Sequence, residues 1–373
     1  MKKQISLSKP DITDKEIEYV NQVLRSGVLS IGPKIEEFET MIAKFTGVKH
    51  AVAVNSGTSA LHLIIRALGI KEGDEVITTP FSFIASANCI LFEKAVPVFV
   101  DIDEETLNID INQIEEKITD KTKAILVVDV FGQPMNLNKV REIARKHNLY
   151  VIEDSCEALG SIYQNTKAGS SADAAAFAFY PNKQITTGEG GIIVTNNDEV
   201  AELCRSMRSQ GRAVTGLWLY HERLGYNYRL SEIHSALGIA QMERIDEIIE
   251  KRNAAANYYT EKLKEIPWVQ APFIHPNVSR MSWFVYVIRV SEEIRNDLID
   301  YLRDNGIGCK PYFTPIHLQP FYRETFGYKS GDFPVTEKAG SECIAIPFYT
   351  NLTREEIDYV VDTIKNFKNV FQI

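Results

Sequence analysis

Short apolar runs alternate with amphipathic stretches over about the first 200 residues, and this alternation constrains the fold more than any other feature. The runs that predict strands are Ala51 to Val54, Glu75 to Thr79, Val96 to Val100, Ala124 to Val130, Tyr150 to Glu153, Ala174 to Tyr180 and Ile192 to Thr195. Helices are predicted between them, for example at Asn138 to His147 and Glu199 to Ser209. Such alternation is typical of a largely parallel sheet covered by helices on both faces. We therefore expect a large α/β domain with a mostly parallel seven-stranded sheet.

The pattern changes in the last third of the chain. A long helical stretch is predicted from Ser231 to about Leu263, with its charge-dense part, residues 243–251, along the surface. Strands then become fewer, and the predicted elements are a strand at Trp283 to Val290 and helices at Glu292 to Asn305 and Thr353 to Phe367. We expect a smaller C-terminal α+β domain, with the chain divided into residues 1–250 and 251–373.

Composition excludes several classes of function. The chain has 373 residues, 45% hydrophobic and 24% charged, which is typical of a soluble globular protein. Its net charge of −9 argues against nucleic acids or anionic membranes as main partners. Residues 1–10 contain two lysines but no apolar core, so we expect no signal peptide, and no apolar run is long enough for a membrane span.

The cysteines indicate a reducing compartment. The five cysteines are odd in number, scattered and never in C-x-x-C spacing; they are Cys89, Cys156, Cys204, Cys309 and Cys343. Reduced thiols of a cytoplasmic protein, without a zinc site, are the simplest interpretation.

One lysine lies in a glycine-rich loop between two predicted strands. Lys183 follows the apolar run that ends near Tyr180, and Gly188, Gly190 and Gly191 come after it. Burial in apolar surroundings favours the neutral amine, which is the nucleophile that Schiff-base chemistry needs. Glycines let the backbone approach a bound ring or phosphate closely. By itself the segment is equally consistent with a turn that carries an exposed lysine.

Two further segments have the composition of ligand-binding turns. Residues 55–61, Asn-Ser-Gly-Thr-Ser-Ala-Leu, follow a predicted strand and open a helix, so that backbone N–H groups, the helix dipole and the hydroxyls of Thr58 and Ser59 could bind a phosphate. Ser and Thr are also ordinary N-caps. Asp154 ends another predicted strand, where open α/β sheets place ligands; there it could bind a pyridine nitrogen, or it could simply cap the next helix.

The order of these segments resembles the fold-type-I pyridoxal-phosphate enzymes. Over almost the whole chain the resemblance is closest to the DegT/StrS-type sugar aminotransferases. The segments that carry it are Ser26 to Pro33, Phe38-Glu39, Asn55 to Leu61, Glu153-Asp154, the Lys183 loop, Gly225 to Leu230 and Pro315 to Pro320.

The resemblance assigns roles to the cofactor-binding residues. Lys183 would carry the cofactor covalently and move the proton, and Asp154 would pair with the pyridine nitrogen. Gly57, Thr58 and Ser59 would bind the phosphate. Phe83 would stack on the cofactor, with Phe81 as the alternative if the register differs. Asn227 would reach the cofactor phosphate of the neighbouring subunit, which implies a homodimer with composite active sites.

The chain departs from the family pattern at two positions. Ala178 stands where a serine commonly donates to the phosphate, which removes one hydrogen bond, typically worth about 0.5–1.5 kcal/mol. Glu157 stands where many relatives have Gln or His, near the cofactor hydroxyl and the substrate. A carboxylate there could reject some amino donors, contact a sugar hydroxyl, or have no consequence.

A lysine at position 183 implies amino transfer rather than the deoxygenation that relatives with histidine there catalyse. The expected donor is L-glutamate, with L-glutamine second, and the expected acceptor is a nucleoside-diphosphate ketosugar. Candidates for substrate contacts are Ser30, Arg229, Lys310, Tyr312 and His317, although a structural histidine or a solvated lysine is an equal alternative.

Parts of the sequence suggest three other functions. The same fold and cofactor could act on a cyclitol or an aromatic-precursor ketone, or the chain could be a regulatory protein without catalysis, which has no chemical need for Lys183 and Asp154. A metal-dependent hydrolase is suggested by His221-Glu222, but H-E-x-x-H requires histidine where the chain has Gly225.

Overall fold

The computed structural model describes residues 3–213 and 219–371. The strands are β1 (His50–Val54), β2 (Glu75–Thr78), β3 (Val96–Phe99), β4 (Thr122–Val128), β5 (Tyr150–Asp154), β6 (Ile162–Tyr163), β7 (Thr166–Lys167), β8 (Ala174–Ala178), β9 (Gly191–Thr195), β10 (Val278–Arg280), β11 (Tyr286–Arg289), β12 (Lys310–Pro311) and β13 (Cys343–Ile346). The helices are α1 (Asp14–Ser26), α2 (Pro33–Thr46), α3 (Gly57–Ala67), α4 (Ala85–Phe92), α5 (Ile111–Ile114), α6 (Leu137–His147), α7 (Asp198–Arg208), α8 (Glu232–Met242), α9 (Ile245–Leu263), α10 (Glu292–Asp304), α11 (Pro320–Phe326), α12 (Pro334–Glu342) and α13 (Arg354–Phe371).

Seven strands form the large sheet, in the order β1-β9-β8-β5-β4-β2-β3. Parallel pairing joins β3, β2, β4, β5 and β8 in that order, and β9 is antiparallel to both β8 and β1. The expected α/β fold with a mostly parallel seven-stranded sheet is therefore confirmed.

Helices cover both faces of this sheet, as its apolar strands predict. In β4, Leu126 and Val128 pack into one buried cluster with residues of α3, whereas Ile125 and Val127 pack into another with residues of α6. A strand that is buried on both faces is a continuous apolar run, which is the usual signature of a parallel sheet.

The carboxyl ends of three strands meet at one edge of the sheet. Because β9 is antiparallel to both β1 and β8, β1 runs in the same direction as β8 and β5. β1 leads into α3, β5 ends at Asp154, and β8 ends five residues before Lys183. The three ligand-binding turns therefore lie at the same edge.

The long helix predicted from Ser231 to Leu263 is wrong in one respect, because it is two helices, α8 and α9. Arg244 lies at the break, and its guanidinium donates to the carboxylates of Asp11 at 2.6 Å and Glu16 at 2.9 Å. Both acids are buried, so the ion pairs bind the start of the chain to the junction of the two helices. No residue pattern near Glu243 predicts this break.

A second core surrounds the three-stranded antiparallel sheet β11-β13-β12. Apolar residues from α9, α10 and α13 pack in it, together with Ile5 from the N-terminus. The strand predicted from Trp283 is shorter, because Trp283 has φ of +55° and pairing starts at Tyr286. The division at residue 250 stays a prediction. In the described ranges no helix has the length and apolarity needed to cross a membrane.

Candidate active site

A cleft of about 470 Å³ opens at the edge where β1, β5 and β8 end. Its wall brings together eight of the residues that the sequence singled out. They are Gly57, Thr58, Phe83, Asp154, Glu157, Lys183, Lys310 and Tyr312.

Lys183 reaches the cleft from the turn after β8. Its side chain is 12% exposed, and its Nζ lies 3.4 Å from Oε1 of Glu157 and 3.7 Å from the ring centroid of Phe284. An ammonium over an aromatic face and beside a carboxylate is stabilised by both. The lysine is therefore directed into the cleft, and the alternative of an exposed turn lysine does not hold.

Glu157 is almost fully buried beside this lysine. Its second oxygen, Oε2, accepts a hydrogen bond from the backbone N–H of Phe131 at 2.8 Å. Burial raises the pKa of the Glu157 carboxyl, and the charge of Lys183 and the Phe131 N–H oppose the rise. The position that departs from the family pattern thus places an ionisable group in direct contact with the candidate catalytic lysine.

Asp154 lies at the end of β5 and is held from two sides. Ser86 on α4 donates its hydroxyl proton to Oδ2 at 2.6 Å, and the backbone N–H of Cys156 donates to Oδ1 at 3.2 Å. Residues 155–161 form turns, so Asp154 does not cap a following helix. The interpretation of Asp154 as a helix cap is therefore wrong, and its carboxylate faces the cleft.

Helix α3 begins at the cleft and points its N-terminus into it. Gly57 and Thr58 lie in the wall. Ser56 is the N-cap, and its hydroxyl accepts from the Ser59 N–H at 3.0 Å. The Ser59 hydroxyl donates to Asn55 at 2.7 Å, so the polar atoms of Ser59 serve the turn itself. Since the first N–H groups of a helix have no partner within it, those of Gly57 and Thr58 suit an anion.

The glycine at the start of β9 permits a close backbone approach. A Cβ atom on Gly191 would lie 2.4 Å from the carbonyl of Ser56 and 2.6 Å from the nitrogen of Gly57. The sequence suggested that these glycines make room for a ligand, whereas Gly191 makes room for the turn that holds the α3 N-terminus.

The two phenylalanines before α4 have different environments. Phe83 lines the cleft and is 62% exposed. Phe81 is fully buried, with its ring against Phe131 and Phe313. Of the two candidates for stacking on a bound ring, the position of Phe83 fits, and Phe81 belongs to the core.

Two substrate candidates come to the cleft from the C-terminal part of the chain. Lys310 on β12 is exposed, and Tyr312 follows it. Burial raises the pKa of the Tyr312 hydroxyl, which keeps it a neutral hydrogen-bond donor.

The other candidates lie apart from the wall of this cleft. Ser30 and Asn227 are exposed, and Arg229 donates to Gln210 at 2.7 Å. His317 is fully buried, with its Nε2 3.1 Å from Oε1 of Glu337 and its ring against Phe333. That environment is the one expected of a structural histidine, so we leave His317 out of the proposed substrate site.

Three residues of the site were not found by sequence reasoning. Ser86 donates to Asp154, Phe284 covers Lys183, and Asn182 lines the cleft with a buried Oδ1 that has no partner in the described part of the chain. Asn182 could have been noted as the neighbour of Lys183. Nothing in the sequence connects Phe284 with Lys183 or Ser86 with Asp154, since they come from distant segments.

The residues in the wall fit pyridoxal phosphate. An amine, a carboxylate and the N-terminus of a helix lie around one cavity, with an exposed aromatic ring at its side. These groups match the aldehyde, the ring nitrogen, the phosphate and the ring face of that cofactor.

The chain is similar to known aminotransferases over almost its whole length. The DegT/DnrJ/EryC1/StrS aminotransferase family matches residues 10–365. GDP-perosamine synthase of Escherichia coli O157:H7 is 39% identical over 366 residues, covering 98% of this chain and 99% of the relative. The structure of PseC from Helicobacter pylori, an aminotransferase of pseudoaminic acid biosynthesis, superimposes with a TM-score of 0.93 at 33% identity over 99% and 100% of the two chains.

A second solved structure shows the cofactor in such a fold. The putative sugar aminotransferase Spr1654 from Streptococcus pneumoniae, in its PLP form, has a TM-score of 0.92 at 29% identity and covers 99% of both chains. With a family match over almost the whole length, this chain belongs to the DegT/DnrJ/EryC1/StrS aminotransferase family.

Proposed function

We propose that the protein is a pyridoxal-phosphate-dependent aminotransferase that moves an amino group from L-glutamate to a nucleoside-diphosphate ketosugar. The observation that carries the proposal is that Lys183, Asp154 and the N-terminus of α3 lie around one cleft. When bound, pyridoxal phosphate supplies the electron sink for the transfer.

Each of these groups has one task. The amine of Lys183 attaches the cofactor and carries the proton to and from the substrate carbon. The carboxylate of Asp154, fixed by Ser86 and the Cys156 N–H, keeps a proton on the ring nitrogen. The N–H groups of Gly57 and Thr58 hold the phosphate.

The acceptor is proposed from the relatives and from the mouth of the cleft. The similar proteins include enzymes of perosamine and pseudoaminic acid synthesis, and the former is named for a GDP-linked sugar. Lys310 and Tyr312 supply a cation and a neutral hydroxyl donor at the cleft, which suit a diphosphate and a sugar. Biosynthesis of an amino sugar for a polysaccharide or glycoside is the proposed setting.

A homodimer with composite active sites is part of the proposal. Asn227 is exposed and lies away from the cleft of its own chain, which is the position expected of a residue given to a partner. We propose that it contacts the cofactor phosphate there. The cytoplasm is the proposed compartment, in keeping with five free thiols.

The test is amino transfer with a panel of acceptors. Purified protein with pyridoxal phosphate and L-glutamate is given nucleotide-linked ketosugars with the ketone at C3 or C4, and free cyclitol ketones, and the products are identified by mass spectrometry. An aminated nucleotide sugar supports the proposal. Amination of cyclitol ketones alone would transfer the assignment to that substrate class. No amination of any acceptor, with no 2-oxoglutarate formed, would favour a regulatory protein.

A further inference from the structure

A buried histidine next to the cleft has no part in the chemistry proposed so far. His62 lies on α3, one turn after Thr58, and is 4% exposed. Its two ring nitrogens contact groups from two other parts of the chain. A buried histidine with both nitrogens engaged fixes the segments that it joins.

The contacts of His62 define its protonation. Its Nε2 lies 2.8 Å from Oε1 of Glu93, and its Nδ1 lies 3.2 Å from the hydroxyl oxygen of Tyr228. An ionised carboxylate only accepts hydrogen bonds, so Nε2 carries the hydrogen, and in a neutral ring Nδ1 accepts from Tyr228. Burial lowers the pKa of His62, which favours this neutral ring.

Glu93 is shared by three donors. Besides His62, it accepts from Arg66 at 2.7 Å and from the hydroxyl of Tyr226 at 3.4 Å. The two tyrosine rings stack with centroids 4.9 Å apart and an interplanar angle of 11°. His62 packs on the Tyr226 ring with centroids also 4.9 Å apart. The network therefore fixes both tyrosines against α3.

Asn227 lies between these two tyrosines. The N–H groups of Tyr226 and Tyr228 donate to the carbonyls of Met207 and Arg208, which holds the segment beside the end of α7. In such a laterally paired segment alternate residues face opposite sides. Two tyrosines that face His62 thus direct Asn227 away from the body of its own chain, where it is exposed.

We propose that His62 is a positioning residue that, through Glu93 and the two tyrosines, orients Asn227 toward the cofactor phosphate in the partner subunit. This inference rests on the composite dimer of the proposed function. The rival is that His62 supports only the N-terminus of its own helix, and so acts on the phosphate in its own subunit.

Mixed dimers distinguish a role of His62 in the partner subunit's site from a role in the site of its own subunit. One chain carries Lys183→Ala and supplies Asn227; the other carries Asn227→Ala and supplies Lys183, so that one site per dimer is intact. His62→Ala is then added to either chain. Added to the Lys183→Ala chain, it should raise the cofactor concentration for half-maximal activity by about ten- to a hundredfold, the loss expected for one hydrogen bond to a charged group. Added to the other chain, it should have little effect.

Hydrogen exchange, measured without cofactor, is a second test of the role of His62. In His62→Ala, hydrogen exchange at the backbone N–H groups of Tyr226 and Tyr228 should be faster than in the unsubstituted protein. Tyr228→Phe keeps the ring and loses only the hydroxyl, so it should act in the same direction with less risk to folding. His147→Ala is the matched control, since His147 contacts Glu115 at the same distance of 2.8 Å but on the surface.

The outcomes are distinct. A larger effect in the Asn227→Ala chain, an equal effect in both, or none in either overturns the proposal, as does unchanged exchange at Tyr226 and Tyr228. Mixing the Lys183→Ala and Asn227→Ala chains before His62 is altered tests the composite site itself. Without recovery of activity at that stage, the composite site fails and the role of His62 fails with it.

Discussion

The Nζ atom of Lys183 lies 3.4 Å from Oε1 of Glu157, and both side chains are largely buried, that of Lys183 against the ring of Phe284. The contact joins the residue on which the proposed chemistry depends most to the position at which the chain departs from its family pattern. An acid in this place can share a proton with the lysine, which Gln in the same place cannot do.

Replacing Glu157 by Gln should therefore change the pH dependence of the reaction. Burial raises the pKa of the Glu157 carboxyl, so this group loses its proton at a higher pH than an ordinary glutamate does. We expect the acidic limb of the kcat/KM profile to shift or disappear in Glu157→Gln, with cofactor still bound. Stopped-flow rates of the half-reaction with L-glutamate across pH check this, with Glu250→Gln on the exposed face of α9 as control. Superimposable profiles would mean that Glu157 does not exchange protons with the site.

Asp154→Asn should bind the cofactor but transfer the amino group slower by orders of magnitude. A neutral amide cannot hold the proton on the ring nitrogen, and its single oxygen replaces only one of the two that accept from Ser86 and Cys156. Asp154→Glu should lose less, since it keeps the charge but misplaces it. Single-turnover rates with L-glutamate measure both. A nearly normal rate in Asp154→Asn would limit Asp154 to a structural role in the turn.

Mixing two defective chains should restore activity if the active sites are composite. In a dimer of Lys183→Ala with Asn227→Ala, one site collects both defects and the other collects neither. Activity at limiting cofactor should therefore rise above that of either variant alone after the chains exchange. Sedimentation shows whether dimers form. A fully active monomer would contradict the composite site but not the aminotransferase assignment.

Stability should depend on pH through a buried acid beneath the site. Asp129 accepts from the Ser155 hydroxyl at 2.8 Å, and burial raises its pKa to about 6, against the lowering effect of that bond. The folded state therefore binds this proton more tightly than the unfolded state, and the stability so gained is lost as pH rises from about 4 through about 6.

Asp129→Asn removes this dependence. Relative to the unsubstituted protein, the free energy of unfolding of Asp129→Asn should rise between about pH 4 and pH 8, because only the unsubstituted protein loses the stability that the Asp129 proton provides. Urea unfolding without cofactor measures the difference, with Asp297→Asn on the exposed side of α10 as control. A difference that does not vary with pH would show that folding does not raise the pKa of Asp129.

Most of the fold could be predicted from the sequence because the large sheet is built from local patterns. Each strand is a short apolar run bounded by turn residues, so its existence is visible without knowledge of its neighbours. The break between α8 and α9 was harder to predict from the sequence. At the junction of α8 and α9, Arg244 forms ion pairs with Asp11 and Glu16, which are distant in sequence.

The residues of the candidate site were also only partly predictable from the sequence. Lys183, Asp154 and the start of α3 could be predicted because each lies at the end of a strand, and the parallel sheet brings such ends together. Phe284 and Ser86 could not, since only the folded chain places them against Lys183 and Asp154. His317 shows the opposite case, in which a resemblance between sequences suggested a substrate contact for a side chain that is fully buried.

Lys183 is proposed to be the residue that carries the cofactor and moves the proton. Lys183→Ala should fold and remain as thermally stable as the exposed control Lys251→Ala, yet lose the half-reaction with L-glutamate.

The most direct test is chemical. Protein loaded with pyridoxal phosphate is reduced with borohydride, digested, and mapped by mass spectrometry. We expect a pyridoxyl group on the peptide that contains Lys183, and no such group in Lys183→Ala. A label on another lysine, with normal turnover by Lys183→Ala, would contradict the role of Lys183.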